Sequence, residues 1–122
     1  MRCQGLVALC LLAVPTVGDA SYAQFCRLEG QVTEAPVENG RGITFRYEVT
    51  RAVAYEDKLW GEGWGDCDAH VGETIDVFLA DDYRGDAQIE VGLTLVLWRD
   101  AMDMEVNGEM CTFVGFSAVE PE

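Results

Sequence analysis

One histidine and eight lysine or arginine residues are all the basic side chains in this 122-residue sequence, against 22 aspartate and glutamate. That scarcity excludes the sustained basic surface that nucleic acid or an anionic membrane requires, and a net charge of −14 repels both. Proline is scarce as well, and no stretch keeps a helical hydrophobic period long enough to give a convincing long helix. Internal repeats, low-complexity tracts and long linkers are also missing. What remains is a chain punctuated by glycine-rich turns, the signature of short strands.

The one long charge-free apolar run, 5–17, follows Met1-Arg2 and has a signal-peptide profile. It is shorter than the roughly 20 residues a bilayer crossing takes, and Pro15 interrupts it. Small residues three and one before the cut, Gly18/Ala20 or Ser21/Ala23, put the mature start at Ser21 or Gln24. Gln24 is the expectation, giving a signal peptide over 1–23 and a single domain over 24–122. Leu9 precedes Cys10 where a lipid-attachment box needs a small residue, so no membrane contact is expected once the signal is removed.

Removing 23 of 122 residues leaves 99, enough for one domain that buries roughly two-thirds of its unfolded surface. Arg2 and Asp19 leave together, so the net charge stays at −14. Such acidity serves either solubility or steering toward a cationic partner. Cys3 and Cys10 also leave, and Cys26, Cys67 and Cys111 remain. In an oxidising compartment three cysteines mean one bridge and one leftover thiol.

Period-two alternation marks the strands. Cys26, Leu28, Gly30 and Val32 alternate with Arg27, Glu29 and Gln31; Ile43, Phe45, Tyr47 and Val49 alternate with polar residues; Ile75, Val77 and Leu79 do the same, with Phe78 as an aromatic on the outer face. Gly92 to Trp98 is nearly continuously apolar and reads as the most buried strand. A last strand runs from Met110 to Val119, with Cys111, Phe113 and Gly115 on one face. Residues 81–91 read as a short helix or an irregular crossover, with helix disfavoured by Gly85. Five strands with an insertion after the third predict an all-β fold: a small five-stranded Greek-key β-barrel, OB-fold-like and disulfide-stapled.

Gln24-Phe-Cys26 followed by Leu28-Glu-Gly-Gln-Val32, then Phe45-Arg-Tyr-Glu-Val49, then Glu109-Met-Cys-Thr-Phe-Val-Gly115 resemble, in order, segments of the amino-terminal domain of tissue inhibitors of metalloproteinases and related netrin-type modules. The resemblance implies a bridge from Cys26 to Cys111, and both residues have the inward parity of their strands. Cys67 would then stay free or pair between chains, with Cys26 to Cys67 as the rival bridge. In that family the first residue, itself a bridged cysteine, chelates the protease's zinc. Gln24 stands there in this chain, so metalloproteinase inhibition does not carry over.

Cys67-Asp-Ala-His70 sets the only histidine beside a thiol and is the candidate metal pair, although a zinc site wants at least three protein ligands. Asp81, Asp82 and Asp86, and Asp100, Asp103 and Glu105 after the fourth strand, are oxygen-rich loops without a calcium-loop pattern. Leu59-Trp-Gly-Glu-Gly-Trp-Gly65 places two tryptophans in a glycine-rich loop, where they either plug the barrel or anchor a partner. Trp60, Glu62, Trp64, Asp66 and Asp68 are therefore the candidate binding residues for a basic protein surface. No convergent acid, base and nucleophile set suggests catalysis, and no cofactor is expected. The function expected is a secreted or periplasmic protein-binding module, in one form an inhibitor of a cationic extracellular enzyme. The alternative is a small metal- or ligand-binding protein using Cys67/His70 or the acidic loops.

Overall fold

A computed structural model of the chain describes residues 22–56, 63 and 65–121, the side chain of Tyr22 excepted. Six strands appear: β1 (Tyr22–Val32), β2 (Val37–Glu38), β3 (Gly42–Ala54), β4 (Thr74–Ala80), β5 (Thr94–Val106) and β6 (Glu109–Ser117). Two 3-10 turns, Cys67–His70 and Asp81–Tyr83, flank β4. The expected signal peptide lies outside the described residues except for Tyr22 and Ala23, which open β1. No helix among the described residues is long and apolar enough to cross a membrane.

β1 is the hub, pairing antiparallel with β3 on one side and β5 on the other. β3 pairs onward with β4, β5 with β6, and the two-residue β2 folds back on the start of β3. Counting directions through these antiparallel pairs makes β4 and β6 run parallel. They approach one another but form no ladder, so the sheet curls into a barrel with one open seam. The five long strands therefore give the partly open Greek-key barrel that the alternation predicts. A bulge between Glu29 and Gly30 sharpens the curl. There the Thr50 hydroxyl, on the residue left without an opposite number, donates to the Glu29 carbonyl at 3.1 Å.

Inward residues of β1, β3, β4 and β5 form the core, with Leu28, Val32, Ile43, Tyr47, Leu79 and Leu97 almost wholly buried and Phe116 of β6 packed against it. Tyr47 donates its hydroxyl to the Leu95 carbonyl at 2.6 Å, which joins β3 to β5 through the interior, and burial pushes its phenol well above the usual range. Phe78 is exposed on the outer face, as its break in the alternation predicts.

Three expectations are corrected. Residues 92–98 are not continuously buried: Leu95 and Leu97 face in while Val96 and Trp98 are half-exposed, because this part of β5 lies on a sheet with a solvent face. Asp100, Asp103 and Glu105 are not in a loop, since β5 continues to Val106 and turns at Asn107-Gly108, both at positive φ, straight into β6. Cys111 is buried, but Phe113 and Gly115 on the same strand are exposed, because β6 is an edge strand with a ladder on one side alone.

The bridge is also corrected: Cys26 is bonded to Cys67, with Cα atoms 5.8 Å apart, and not to Cys111. Inward parity alone does not bring two cysteines together. Cys26 lies opposite Arg99, which lies opposite Phe116, so Cys111 stands five residues further along β6 and two strands away. At about 3.4 Å per residue that offset is roughly 17 Å, whereas a disulfide spans Cα atoms up to about 7 Å apart. The Cys67–His70 turn instead packs against β1 and β3.

Candidate functional site

Where the seam fails to close, the β4 and β6 edges border a groove of about 560 Å³. Its apolar lining comes from Ile75, Phe78 and Ala80 on β4 and from Val114 and Phe116 on β6. One end is pinned by main chain, as the Ala118 N–H donates to the Tyr83 carbonyl at 2.8 Å. The other end is polar, with His70, Glu73, Asp76 and Arg99.

The polar end is built from residues far apart in sequence. Arg99 has the same inward parity as Leu97 and Ala101, and Gln24 that of Cys26 and Leu28. Inward-pointing polar groups at a barrel mouth need partners. Gln24 Oε1 accepts from Arg99 Nη1 at 2.9 Å and lies 3.0 Å from His70 Nε2. Because arginine only donates, it fixes which end of the Gln24 amide faces inward. On the far side of the ring, His70 Nδ1 is 3.0 Å from Glu73 Oε1. Both ring nitrogens thus face side-chain oxygens. Asp76 pairs with Arg46 at 3.3 Å.

The sequence-predicted residues fall into three groups. Trp60, Glu62 and Trp64 lie outside the described residues. Gly63 between them does not: a Cβ there would stand 2.8 Å from the Phe25 nitrogen and 3.0 Å from Gln24 Cα. Gly63 therefore packs on the β1 backbone at the residue that anchors the polar end of the groove. Asp66 and Asp68 are exposed, and the Asp66 side chain accepts from the Asp68 N–H at 2.9 Å to start the 3-10 turn. Asp66 is thus the N-cap of that turn.

Cys67 and His70 do not form the expected metal pair, because the Cys67 sulfur is committed to Cys26 and is no longer a thiolate. Among the described residues no group of three His, Cys, Asp or Glu side chains could hold a metal ion. Asp103 accepts from Thr112 Oγ1 at 2.6 Å, and Asp81 sits 3.9 Å from Arg84, so these acids make local contacts within their own hairpin and turn. Sequence reasoning missed Gln24 and Arg99 as site residues and missed Tyr83. For Tyr83 the signal was a lone aromatic in the crossover 81–91. Comparison of the chain with protein-family models, curated proteins and solved structures finds no match.

Proposed function

We propose that the protein is an exported binding module that holds a segment of a cationic partner protein in the open seam between β4 and β6. The observation that carries this reading is the groove itself, an apolar cleft bounded by two strand edges that do not pair with each other. Such edges suit an extended segment, whose main chain gives affinity while alternate side chains enter pockets. Phe78 and Val114 are exposed large apolar side chains within it, and aromatics serve as interface anchors. The net charge of −14 supplies steering toward a basic surface. Export rests on the amino-terminal profile and fits the Cys26–Cys67 bridge, which belongs in an oxidising compartment. With the resemblance to netrin-type inhibitory modules, inhibition of a cationic extracellular enzyme is the finer form of the proposal. Trp60 and Trp64 remain the sequence-based candidates for further anchors of the partner.

The test is affinity capture from the native extracytoplasmic fraction, followed by binding of the purified captured protein to wild type, Phe78→Ala and Val114→Asp. A basic partner whose binding weakens tenfold or more in the groove variants, and whose association slows with salt, is the expected result. Equal binding by wild type and both variants removes the groove from the interface.

A further inference from the structure

Beside the groove, on the far side of Tyr83, lies a second pocket of about 260 Å³. Tyr83 lines both cavities. Three aromatic rings converge here from separate elements: Tyr55 just after β3, Trp98 on β5 and Tyr83 at the end of the turn after β4. Three carboxylates stand among them, Asp82, Asp100 and Glu120. The strand register explains the meeting. Trp98 and Asp100 share one face of β5, and Tyr55 reaches it by its backbone bond to Phe25, which lies opposite Asp100. The Tyr55 hydroxyl donates to Asp100 Oδ1 at 2.6 Å, setting ring and carboxylate in fixed relation. The Ala118–Tyr83 bond then lays the carboxy-terminal segment, with Val119 and Pro121, along the last side.

We infer that this pocket is a cage for one organic cation, the ammonium or guanidinium end of a lysine or arginine side chain presented by the partner held in the groove. The inference rests on the proposed function and adds the chemistry of its specificity. Ring faces are negative and attract a cation within about 6 Å of the centroid. Trp98 already does this within the chain, with the Arg27 guanidinium 5.9 Å from its ring centroid. Asp82, Asp100 and Glu120 beside the rings add negative potential that favours a cation in the pocket. Size selects the occupant. At about 260 Å³ the pocket is below the ~300 Å³ at which sites for whole drug-sized ligands begin, and it suits the end of one side chain. Since Tyr83 separates the two cavities, a segment lying in the groove needs to send only one side chain across that ring.

The test follows the Trp98 indole N–H and tyrosine ring signals by NMR at fixed ionic strength. The probes are acetyl-arginine methylamide, acetyl-lysine methylamide, the neutral acetyl-glutamine methylamide and tetramethylammonium. A second arm titrates a short extended peptide alternating valine with lysine. Saturable shifts are expected at Trp98, Tyr55 and Tyr83 with the arginine and lysine probes and tighter binding of the peptide, with none from the glutamine probe. Tyr83→Ala and Asp82→Asn, both at exposed positions, should each weaken the response about threefold or more. Shifts spread evenly over the acidic surface, or unchanged in Tyr83→Ala, overturn the cage while leaving the groove reading to its own variants. Saturation by tetramethylammonium without response to arginine, lysine or the peptide overturns the protein side chain as occupant. Binding of the captured partner that ignores Phe78→Ala but is lost in Tyr83→Ala sinks the groove reading and keeps the cage.

Discussion

Ala118 donates its backbone N–H to the Tyr83 carbonyl at 2.8 Å, and this bond pins the seam where β4 and β6 otherwise part. It separates the two cavities and holds the carboxy-terminal wall of the smaller one. Ala118→Pro deletes the donor, whereas Ala118→Ser keeps it. A hydrogen bond of this kind is worth about 1 kcal/mol net, so urea unfolding should show that loss for the proline variant and almost none for serine. Equal stability of the two variants would mean the seam is held elsewhere.

The Cys26–Cys67 bridge closes a loop of 41 residues. In the chain-entropy account a loop of that length is worth about 4 kcal/mol, a large share of the 5–15 kcal/mol typical of a domain. The double variant Cys26→Ser/Cys67→Ser should therefore lose most of its margin in urea. Unreduced peptide mapping should join the peptides of residues 26 and 67. A 26-to-111 linkage would contradict the register.

Much of this was legible in the sequence. Period two located four of the five long strands, the apolar run 92–98 located the start of the remaining one, β5, and Phe78 announced an aromatic on the outer face. The end of β5 was not found because it carries Asp100, Asp103 and Glu105, acids on both faces that read as a loop. Asn107-Gly108, a strong hairpin signal, would have extended the strand. The site was harder. His70 stood out as the sole histidine, but besides the nearby Glu73 its partner is Gln24, 46 residues away, which is held in turn by Arg99, 75 residues from Gln24. Only strand register brings these three together, and register is not written in alternation. The cysteine pairing failed for the same reason, since parity gives the face of a strand and not the distance along it.

Acid should probe the outer face of β1 and β3. Hydrogen bonding from Arg27 at 2.6 Å, joined by Arg51 at 2.9 Å, holds the Glu29 carboxyl below its ordinary value of 4.5. A depressed carboxyl adds stability that is fully present above the unfolded pKa and is lost as pH falls through the lower folded one. The gap in urea midpoint between wild type and Glu29→Gln should therefore be constant from neutrality to about pH 5 and narrow below about pH 4. The change should be small, because the pair is solvent-accessible and salt screens it. A gap that widens on acidification would reverse the assigned sign.

The mature amino terminus bears directly on the site. Of the two cuts the sequence allows, the one before Gln24 removes Tyr22 and Ala23, which pair with Asp103 and Met102 at the start of β1. It also makes Gln24 the first residue, where its side-chain amide can cyclise onto the new α-amine with loss of ammonia. The amide that meets Arg99 and His70 would then become a ring carbonyl, displaced from its place in the strand. The cut before Ser21 keeps the ladder, the amide and the polar end of the groove intact. Intact-mass analysis of exported protein is therefore expected to give a chain starting at Ser21, in place of the Gln24 start that the sequence pattern suggests. Chains begun at Ser21 and at Gln24 should differ in stability by about 1 kcal/mol or more for the lost strand bonds. The His70 ring signals should also differ between them. A pyroglutamate-24 mass with unchanged His70 signals would show that the Gln24 amide does not organise the groove.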